Sequence, residues 1–134
     1  MITPEMLASR GSESGNQQAL LCWAQQNMKQ YPELKWLFAI PNGGYRDKIT
    51  AAKLKAEGVK SGVPDLCLLV RRGSHAASLW IELKRPKSAD KSAGKARDSQ
   101  NEWIMQARSQ GHAAMICIGW EHARDMIISY LEWE

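Results

Sequence analysis

The sequence has no apolar segment of about 20 residues, the length that a membrane-spanning helix needs, within its 134 residues. Its N-terminus, Met1 to Glu5, lacks the basic start and the apolar core of a signal peptide. No internal repeat is present, which argues against a solenoid. From these absences we expect a protein that is neither inserted in a membrane nor exported, and that works in the cytoplasm.

Cysteine is scarce, and its three positions, Cys22, Cys67 and Cys117, are widely spaced. No C-x-x-C pair and no histidine at ligand spacing accompanies them, so neither a disulfide framework nor a zinc site is expected. Each cysteine lies in an apolar run, which predicts buried thiols in a reducing compartment. The three histidines are scattered as well, and we assign them structural or surface roles: His75, His112 and His122.

Basic residues concentrate in the middle of the chain. Of the 18 Lys and Arg residues, 13 lie between Arg46 and Arg97, a segment that holds only five of the 14 acidic residues. Positive charge concentrated in this way is typical of a protein that binds a polyanion, since each neutralised phosphate releases counterions. For the segment 87–95 taken alone, a solvated basic loop is an equally good interpretation.

Hydrophobic periodicity predicts the order α-β-α-β-β-α-β-α, a mixed sheet flanked by helices. With 134 residues, 44% of them hydrophobic, the chain suits one domain, 1–134, and is too short for two ordinary ones. The predicted helices are 12–30, capped by Ser12, then 47–57, then a helix that Asp98 or Ser99 caps and Gly111 ends, and finally 120–133. The predicted strands are 35–40, 66–70, 79–84 and 113–118, the first and last of them buried, and 85–97 is predicted to be a mobile loop.

Two short apolar segments carry the most informative charges. Asp65 follows Pro64 at the start of a β-prone run, and the run 79–84 alternates with period two, so that Glu82 and Lys84 share one face. A hairpin folded about Gly73 and Ser74 places Asp65 opposite Glu82. Cβ atoms of such cross-strand neighbours lie roughly 4.5–5.5 Å apart.

Two carboxylates at that separation repel each other unless they share a proton or a cation. Oxygen ligands suit Mg²⁺ or Mn²⁺ better than Zn²⁺. With the Lys84 ammonium beside it, such a cation favours phosphodiester hydrolysis. Taken singly, each motif has an ordinary structural explanation, because Asp is a common turn residue and E-x-K is common on exposed salt-bridged edges.

Two further polar residues fall on apolar stripes of predicted helices. Glu13 begins the stripe of the first helix, where it either serves the positive end of the helix dipole or supplies a third carboxylate to the site. Gln100 precedes the apolar face of its helix and is either satisfied in the core or reaches the site. The segment 41–46 is glycine-rich and ends in a cation, which suits either close approach to a phosphate or a plain tight turn.

These motifs together resemble the VRR-NUC (virus-type replication-repair nuclease) domain family of the PD-(D/E)xK nuclease superfamily. The resemblance covers nearly the whole chain, and it rests on an ordered set of segments rather than on one motif. The segments are Pro41-Asn42-Gly43-Gly44 with Arg46, then 57–65 ending in Pro64-Asp65, then Ile81-Glu82-Leu83-Lys84, then Ser99-Gln100, and a last strand ending at Gly119.

The resemblance implies a restriction-endonuclease-like fold and a role for each of these residues. Glu13, Asp65 and Glu82 would bind Mg²⁺ or Mn²⁺ together with the Leu83 carbonyl. Lys84 would be the catalytic lysine, and Gln100 the glutamine beside the active site. The expected DNA contacts lie in the substrate-facing loops and the basic segment after the last site strand: Asn42, Arg46, Lys60, Arg85 and Lys87.

Small stand-alone members of this family, from phages and bacteria, imply a homodimer that cuts branched DNA such as four-way (Holliday) junctions. Alternatives are a catalytically silent DNA-binding module of the same fold, and a flap or restriction-type nuclease. The six Trp residues are predicted mostly to pack in the core. An exposed indole near Trp120 or Trp133 would instead mark a self-association surface.

Overall fold

The computed structural model describes residues 1–41, 47–74, 76–88 and 91–134. Within these residues the elements follow in the order α1 (Pro4–Ala8), α2 (Glu13–Gln26), a 3₁₀ turn (Pro32–Trp36), β1 (Leu37–Ala39), α3 (Lys48–Ala56), β2 (Leu66–Leu68), β3 (Leu79–Lys84), α4 (Asp98–Ser109), β4 (Ala113–Ile118) and α5 (Trp120–Leu131). None of the described helices is long and apolar enough to cross a membrane.

The four strands form one mixed sheet in the order β1-β2-β3-β4. The pairs β1–β2 and β2–β3 are antiparallel, and β3–β4 is parallel. In the β2–β3 hairpin Leu66 pairs with Ile81 and Leu68 with Leu79, which is the register predicted from the sequence. The predicted fold class, a mixed sheet flanked by helices, is confirmed.

The sheet has two faces with different coverings. Leu66, Leu68, Leu79, Ile81 and Leu83 project into the main core, which they form with α2 and α5. On the opposite face of β3 lie Trp80, Glu82 and Lys84, and α4 packs against this side. Because β3 is covered on both faces and paired on both edges, its polar residues are buried in the interior of the protein.

Several helix ends follow from local chemistry. Ser12 caps α2 as predicted, since its Oγ accepts a hydrogen bond from the Gly15 N–H at 2.9 Å. Asp47 caps α3, and Gly58, with φ at 101°, follows its last turn. The start of α4 differs from the prediction, because the N-cap residue is Arg97 rather than Asp98 or Ser99. The Arg97 backbone N–H donates a hydrogen bond to Gln100 Oε1 at 2.8 Å.

Several boundaries predicted from the sequence are wrong. The strand predicted for 66–70 ends at Leu68, and the helix predicted for 120–133 ends at Leu131. The first helix ends at Gln26 rather than at residue 30, and a short helix, α1, precedes it with Thr3 as its cap. The strand predicted for 35–40 is only Leu37–Ala39, because Pro32 begins a 3₁₀ turn that continues to Trp36. That strand is also not buried, since it lies at the edge of the sheet with Phe38 45% exposed. The last strand, likewise predicted to be buried, is buried only in part, since Ile118 is 38% exposed.

The predictions for Trp and Cys hold in part. Trp23 and Trp120 are buried, whereas Trp36 and Trp133 are about half exposed, at 52% and 49%. Of the three thiols, Cys67 and Cys117 are buried and Cys22 is only partly so, and all three are free.

Candidate active site

Asp65 lies at the bend directly before β2. Its Oδ2 accepts a hydrogen bond from the Leu83 N–H at 2.8 Å, and its own carbonyl accepts one from the Ile40 N–H at 2.8 Å. The Asp65 carboxylate therefore continues the hydrogen bonding between β2 and β3 by one position, just before the first residue of β2. This contact fixes Asp65 beside the middle of the sheet.

Glu82 is the most deeply buried of the three carboxylates, with only 2% of its surface exposed. Its Oε2 accepts a hydrogen bond from Gln100 Nε2 at 3.1 Å and lies 3.5 Å from Lys84 Nζ. Burial, and next the hydrogen bond and negative charge of Asp65, raise the pKa of Glu82 from 4.5 to about 8, against the opposing influence of Lys84. Glu82 therefore needs a further positive charge nearby, beyond that of Lys84, to be mostly ionised at neutral pH.

Lys84 is the last residue of β3 and is 6% exposed. Its carbonyl accepts a hydrogen bond from the Gly119 N–H at 2.8 Å, which ties the end of β3 to the end of β4. A Cβ on Gly94 would lie 3.2 Å from the Lys84 Cβ, so the segment before α4 passes directly over this side chain. As predicted from the alternation of β3, Lys84 and Glu82 share a face.

Glu13 reaches the same place from the first turn of α2. Carboxylate oxygens of Glu13, Asp65 and Glu82 all lie within 4.8 Å of one another. Glu13 is exposed, Asp65 is half-buried and Glu82 is buried. The cluster therefore opens to solvent on the Glu13 side and is closed on the Glu82 side.

Asn16 holds the start of α2 in position, and the sequence analysis did not single it out. Its Nδ2 donates to the Ser12 carbonyl at 2.8 Å, and its Oδ1 accepts from the Trp120 N–H at 3.0 Å. Because Asn16 is 1% exposed, these contacts join the first turns of α2 and α5 inside the protein. In the sequence, Asn16 could have been recognised by its position one turn after Glu13 and one turn before Leu20, on the core-facing stripe of the helix.

Gln100 connects α4 to the cluster. Its Oε1 accepts from the Arg97 N–H at 2.8 Å while its Nε2 donates to Glu82. One amide therefore caps a helix and positions a carboxylate at the same time. Of the two alternatives left open by the sequence, the structure shows the contact with the site.

The Leu83 backbone faces the Asp65 side of β3. Since the N–H and C=O of one strand residue point to the same side, the N–H donated to Asp65 places the Leu83 carbonyl beyond the end of β2 as well. This orientation supports the carbonyl as a further oxygen ligand, a role that stays a prediction.

Three of the five residues predicted to contact DNA lie within the described part of the chain. Lys60 and Lys87 are exposed, and Arg85 is half-buried. The Arg85 Nε is buried and has no hydrogen-bond partner among the described residues. Asn42 and Arg46 lie outside the residues that the structure describes.

The donor set of the cluster fits a hard divalent cation. Three carboxylates from separate parts of the chain present oxygen atoms within 4.8 Å of one another, and the deepest of them, Glu82, has a raised pKa that a cation would lower. Oxygen-only ligands are those that Mg²⁺ and Mn²⁺ prefer, and no cysteine or histidine belongs to the described cluster. Glu13, Asp65 and Glu82 are the residues that would hold such an ion.

Comparison with known proteins points to one family. A family model of the VRR-NUC domain matches residues 9–120. A solved structure described as a VRR_NUC domain protein is similar to this chain, with 27% sequence identity, a TM-score of 0.70, and coverage of 90% of this chain and 88% of that one. The search of curated proteins found no match. The family model spans most of the chain, and the chain therefore belongs to the VRR-NUC family of nuclease domains.

Proposed function

We propose that this protein is a Mg²⁺- or Mn²⁺-dependent endonuclease that hydrolyses phosphodiester bonds in branched DNA such as four-way junctions. The observation that carries the proposal is the cluster of Glu13, Asp65 and Glu82, whose oxygens lie within 4.8 Å of one another beside Lys84. A bound cation there would polarise a phosphoryl oxygen and lower the pKa of a water molecule.

The protein side chains divide the remaining work. Glu13, Asp65, Glu82 and the Leu83 carbonyl would hold the ion, which would supply Lewis-acid chemistry at the phosphate. Lys84 keeps an ammonium group at the closed side of the cluster, where it orients the attacking water or stabilises negative charge on the phosphate. Gln100 acts through Glu82, whose Oε2 it holds at 3.1 Å.

DNA binding rests on phosphate contacts rather than on base sequence. The basic middle of the chain surrounds the site in sequence, and 13 of the 18 basic residues lie between 46 and 97. Such charge supplies affinity that does not depend on sequence. The residues assigned to these contacts are Asn42, Arg46, Lys60, Arg85 and Lys87.

A homodimer is part of the proposal, because two sites related by a two-fold axis suit two strands of like polarity at a junction. We treat 1–134 as one nuclease domain, which its continuous hydrophobic core supports. We place it in the cytoplasm of a bacterial or phage-infected cell, with which its free thiols are compatible.

The test is cleavage by the Asp65→Ala variant. Loss of an outer partner of a metal ligand typically lowers activity 10–100-fold, so loss of Asp65 should lower it by at least about 100-fold. DNA binding in Ca²⁺ should persist. Asp125→Ala is the matched control, since Asp125 lies on α5, is exposed and pairs with Arg124.

A substrate panel tests the choice of branched DNA. Four-way junctions, flaps, single strands and linear duplex are compared with Mg²⁺ and with Mn²⁺, and junctions should be cut fastest. Equal cutting of all four would contradict structure selectivity, and preferred flap cutting or a defined pattern on linear duplex would assign a flap or restriction-type nuclease. Failure of the wild-type protein to cut any of them, with DNA binding intact, would identify a silent binding module.

A further inference from the structure

A cavity of about 200 Å³ lies between β3, α4 and the segment before β2. Two indoles, Trp80 and Trp103, form part of its wall, together with Pro64. Gln106, Gln110 and His112 add polar groups to a lining that is otherwise mainly apolar. No residue assigned to the cleavage reaction lines this cavity.

His112 is held in one orientation at the cavity. Its Nδ1 lies 2.7 Å from Ser78 Oγ, and Ser78 is 2% exposed. Because this contact occupies Nδ1, Nε2 is the ring nitrogen available to an occupant. The two glutamine amides can each donate and accept hydrogen bonds as well.

The cavity adjoins the acidic cluster. Trp80 and Glu82 share a face of β3 two residues apart, a separation of about 7 Å along a strand. Pro64 directly precedes Asp65, and on α4 Trp103 follows Gln100 by one turn. A DNA strand whose phosphate lies at the cluster therefore has a neighbouring base within reach of the cavity.

We propose that the cavity receives one unpaired nucleobase of the DNA substrate, next to the scissile phosphate; this inference rests on the proposed nuclease function. An apolar cavity of about 150 Å³ is known to hold benzene, so about 200 Å³ admits a single base. The indoles offer stacking surfaces, and the glutamines and His112 can bond to the polar edge of the base.

A second hollow supports the same path for the strand. Lys60, Ser61, Glu102, Trp103 and Gln106 line it, so Trp103 and Gln106 belong to both surfaces. Lys60 can bind the phosphate of the nucleotide whose base enters the cavity, while Glu102 adds one opposing charge. A fully paired duplex cannot present a base in this way, and the cavity would thus add a preference for DNA with unpaired bases.

The experiment compares two duplexes that differ by one base. The first carries a single bulged thymidine, and the second carries an abasic unit at the same place. Affinities are measured by fluorescence anisotropy in Ca²⁺ with the full chain. Stacking predicts that the wild-type protein binds the bulged base about tenfold more tightly than the abasic duplex.

Three variants locate this preference. Trp103→Ala removes a wall, and Ala107→Leu fills the cavity without removing the wall; both should reduce the preference to about twofold or less. Trp36→Ala, which changes an indole that is 52% exposed and outside the cavity, should retain it. If Trp103→Ala fails to fold, Ala107→Leu decides the question.

The outcomes separate this inference from the function on which it rests. If the wild-type protein binds the bulged and the abasic duplex with equal affinity, or if Ala107→Leu leaves the ratio of these two affinities unchanged, the base-binding cavity is overturned even where metal-dependent cleavage is intact. A preserved base preference without any metal-dependent cleavage overturns the nuclease function and leaves the cavity as a nucleic-acid-binding site.

Discussion

Glu82 is the residue on which the site's electrostatics depend. It is 2% exposed, and two charged neighbours have opposite effects on its pKa: Asp65 favours its protonated form and Lys84 favours its ionised form. A buried carboxyl group of this kind needs a proton or a cation. The same residue therefore links the proposed cation site to pH and to folding stability.

The raised pKa of Glu82, about 8 rather than 4.5, predicts how stability depends on pH when no cation is bound. A carboxyl group with a higher pKa in the folded protein stabilises the fold below its unfolded pKa, and this contribution is lost as pH rises through the folded pKa. The free energy of unfolding in EDTA should thus fall by about 2–3 kcal/mol between pH 6 and pH 9. Urea denaturation measures it.

Matched variants isolate this contribution of Glu82. Glu82→Gln should largely remove the fall with pH, whereas Glu121→Gln, at an exposed position on α5, should keep it. Mg²⁺ should restore stability of the wild-type protein at pH 9, since binding at a carboxylate competes with its proton. A wild-type stability that rises from pH 6 to pH 9 in EDTA would contradict the prediction.

At the scale of elements, the site is held by close contacts between loops and helix starts. Gly62 has φ at 91°, and a Cβ at this position would lie 2.7 Å from the Ser99 carbonyl oxygen. The segment that leads to Asp65 therefore rests directly on the first turn of α4, which carries Gln100. Only glycine allows both this backbone conformation and this approach.

Gly62→Ala should consequently be more harmful than Gly58→Ala. Gly58 has a similar φ of 101°, but a Cβ there meets nothing within 4 Å. Gly58→Ala should cost about 1 kcal/mol of backbone strain, and Gly62→Ala about 1–3 kcal/mol more for the clash. Cleavage should also fall in Gly62→Ala alone, because its clash with Ser99 displaces the segment that carries Asp65 relative to the start of α4. Urea denaturation and cleavage assays of both variants measure these effects. Equal losses of stability and of cleavage in the two variants would contradict the prediction.

At the scale of the whole molecule, charge is divided between a basic middle and acidic ends. Because salt weakens phosphate contacts in proportion to their number, the dependence of DNA affinity on salt reports how many basic residues take part. The sequence segment 46–97 has a surplus of eight positive charges, from 13 basic and five acidic residues.

Lys87→Ala should lower the slope of log affinity against log salt by about 0.9 on duplex DNA. Lys29→Ala is the control, since Lys29 is also exposed but lies outside the basic segment. Anisotropy titrations in Ca²⁺ between about 50 and 200 mM salt measure both slopes. An equal change in the two variants would show that general charge, rather than the basic segment, determines binding.

Much of this architecture could be predicted because it depends on local patterns. Period-two alternation in 79–84 placed Glu82 and Lys84 on one face, and the hairpin turn set the register that brings Asp65 beside β3. Boundaries were less certain where a proline-initiated 3₁₀ turn replaced strand, as at Pro32–Trp36. The local sequence alone does not decide whether the segment after Pro32 continues as a 3₁₀ turn or as a strand.

The amino-acid sequence by itself thus determined the strand face and register that join Asp65, Glu82 and Lys84, since side-chain direction in a strand follows from position along the chain. Only the tertiary structure decided that Glu13 completes the cluster and that Gln100 bonds to Glu82 rather than to the core. These two residues begin helices, and where a helix starts in space depends on packing against the sheet and on distant contacts such as Asn16 to Trp120. Such contacts join residues about a hundred positions apart, and no local pattern encodes them.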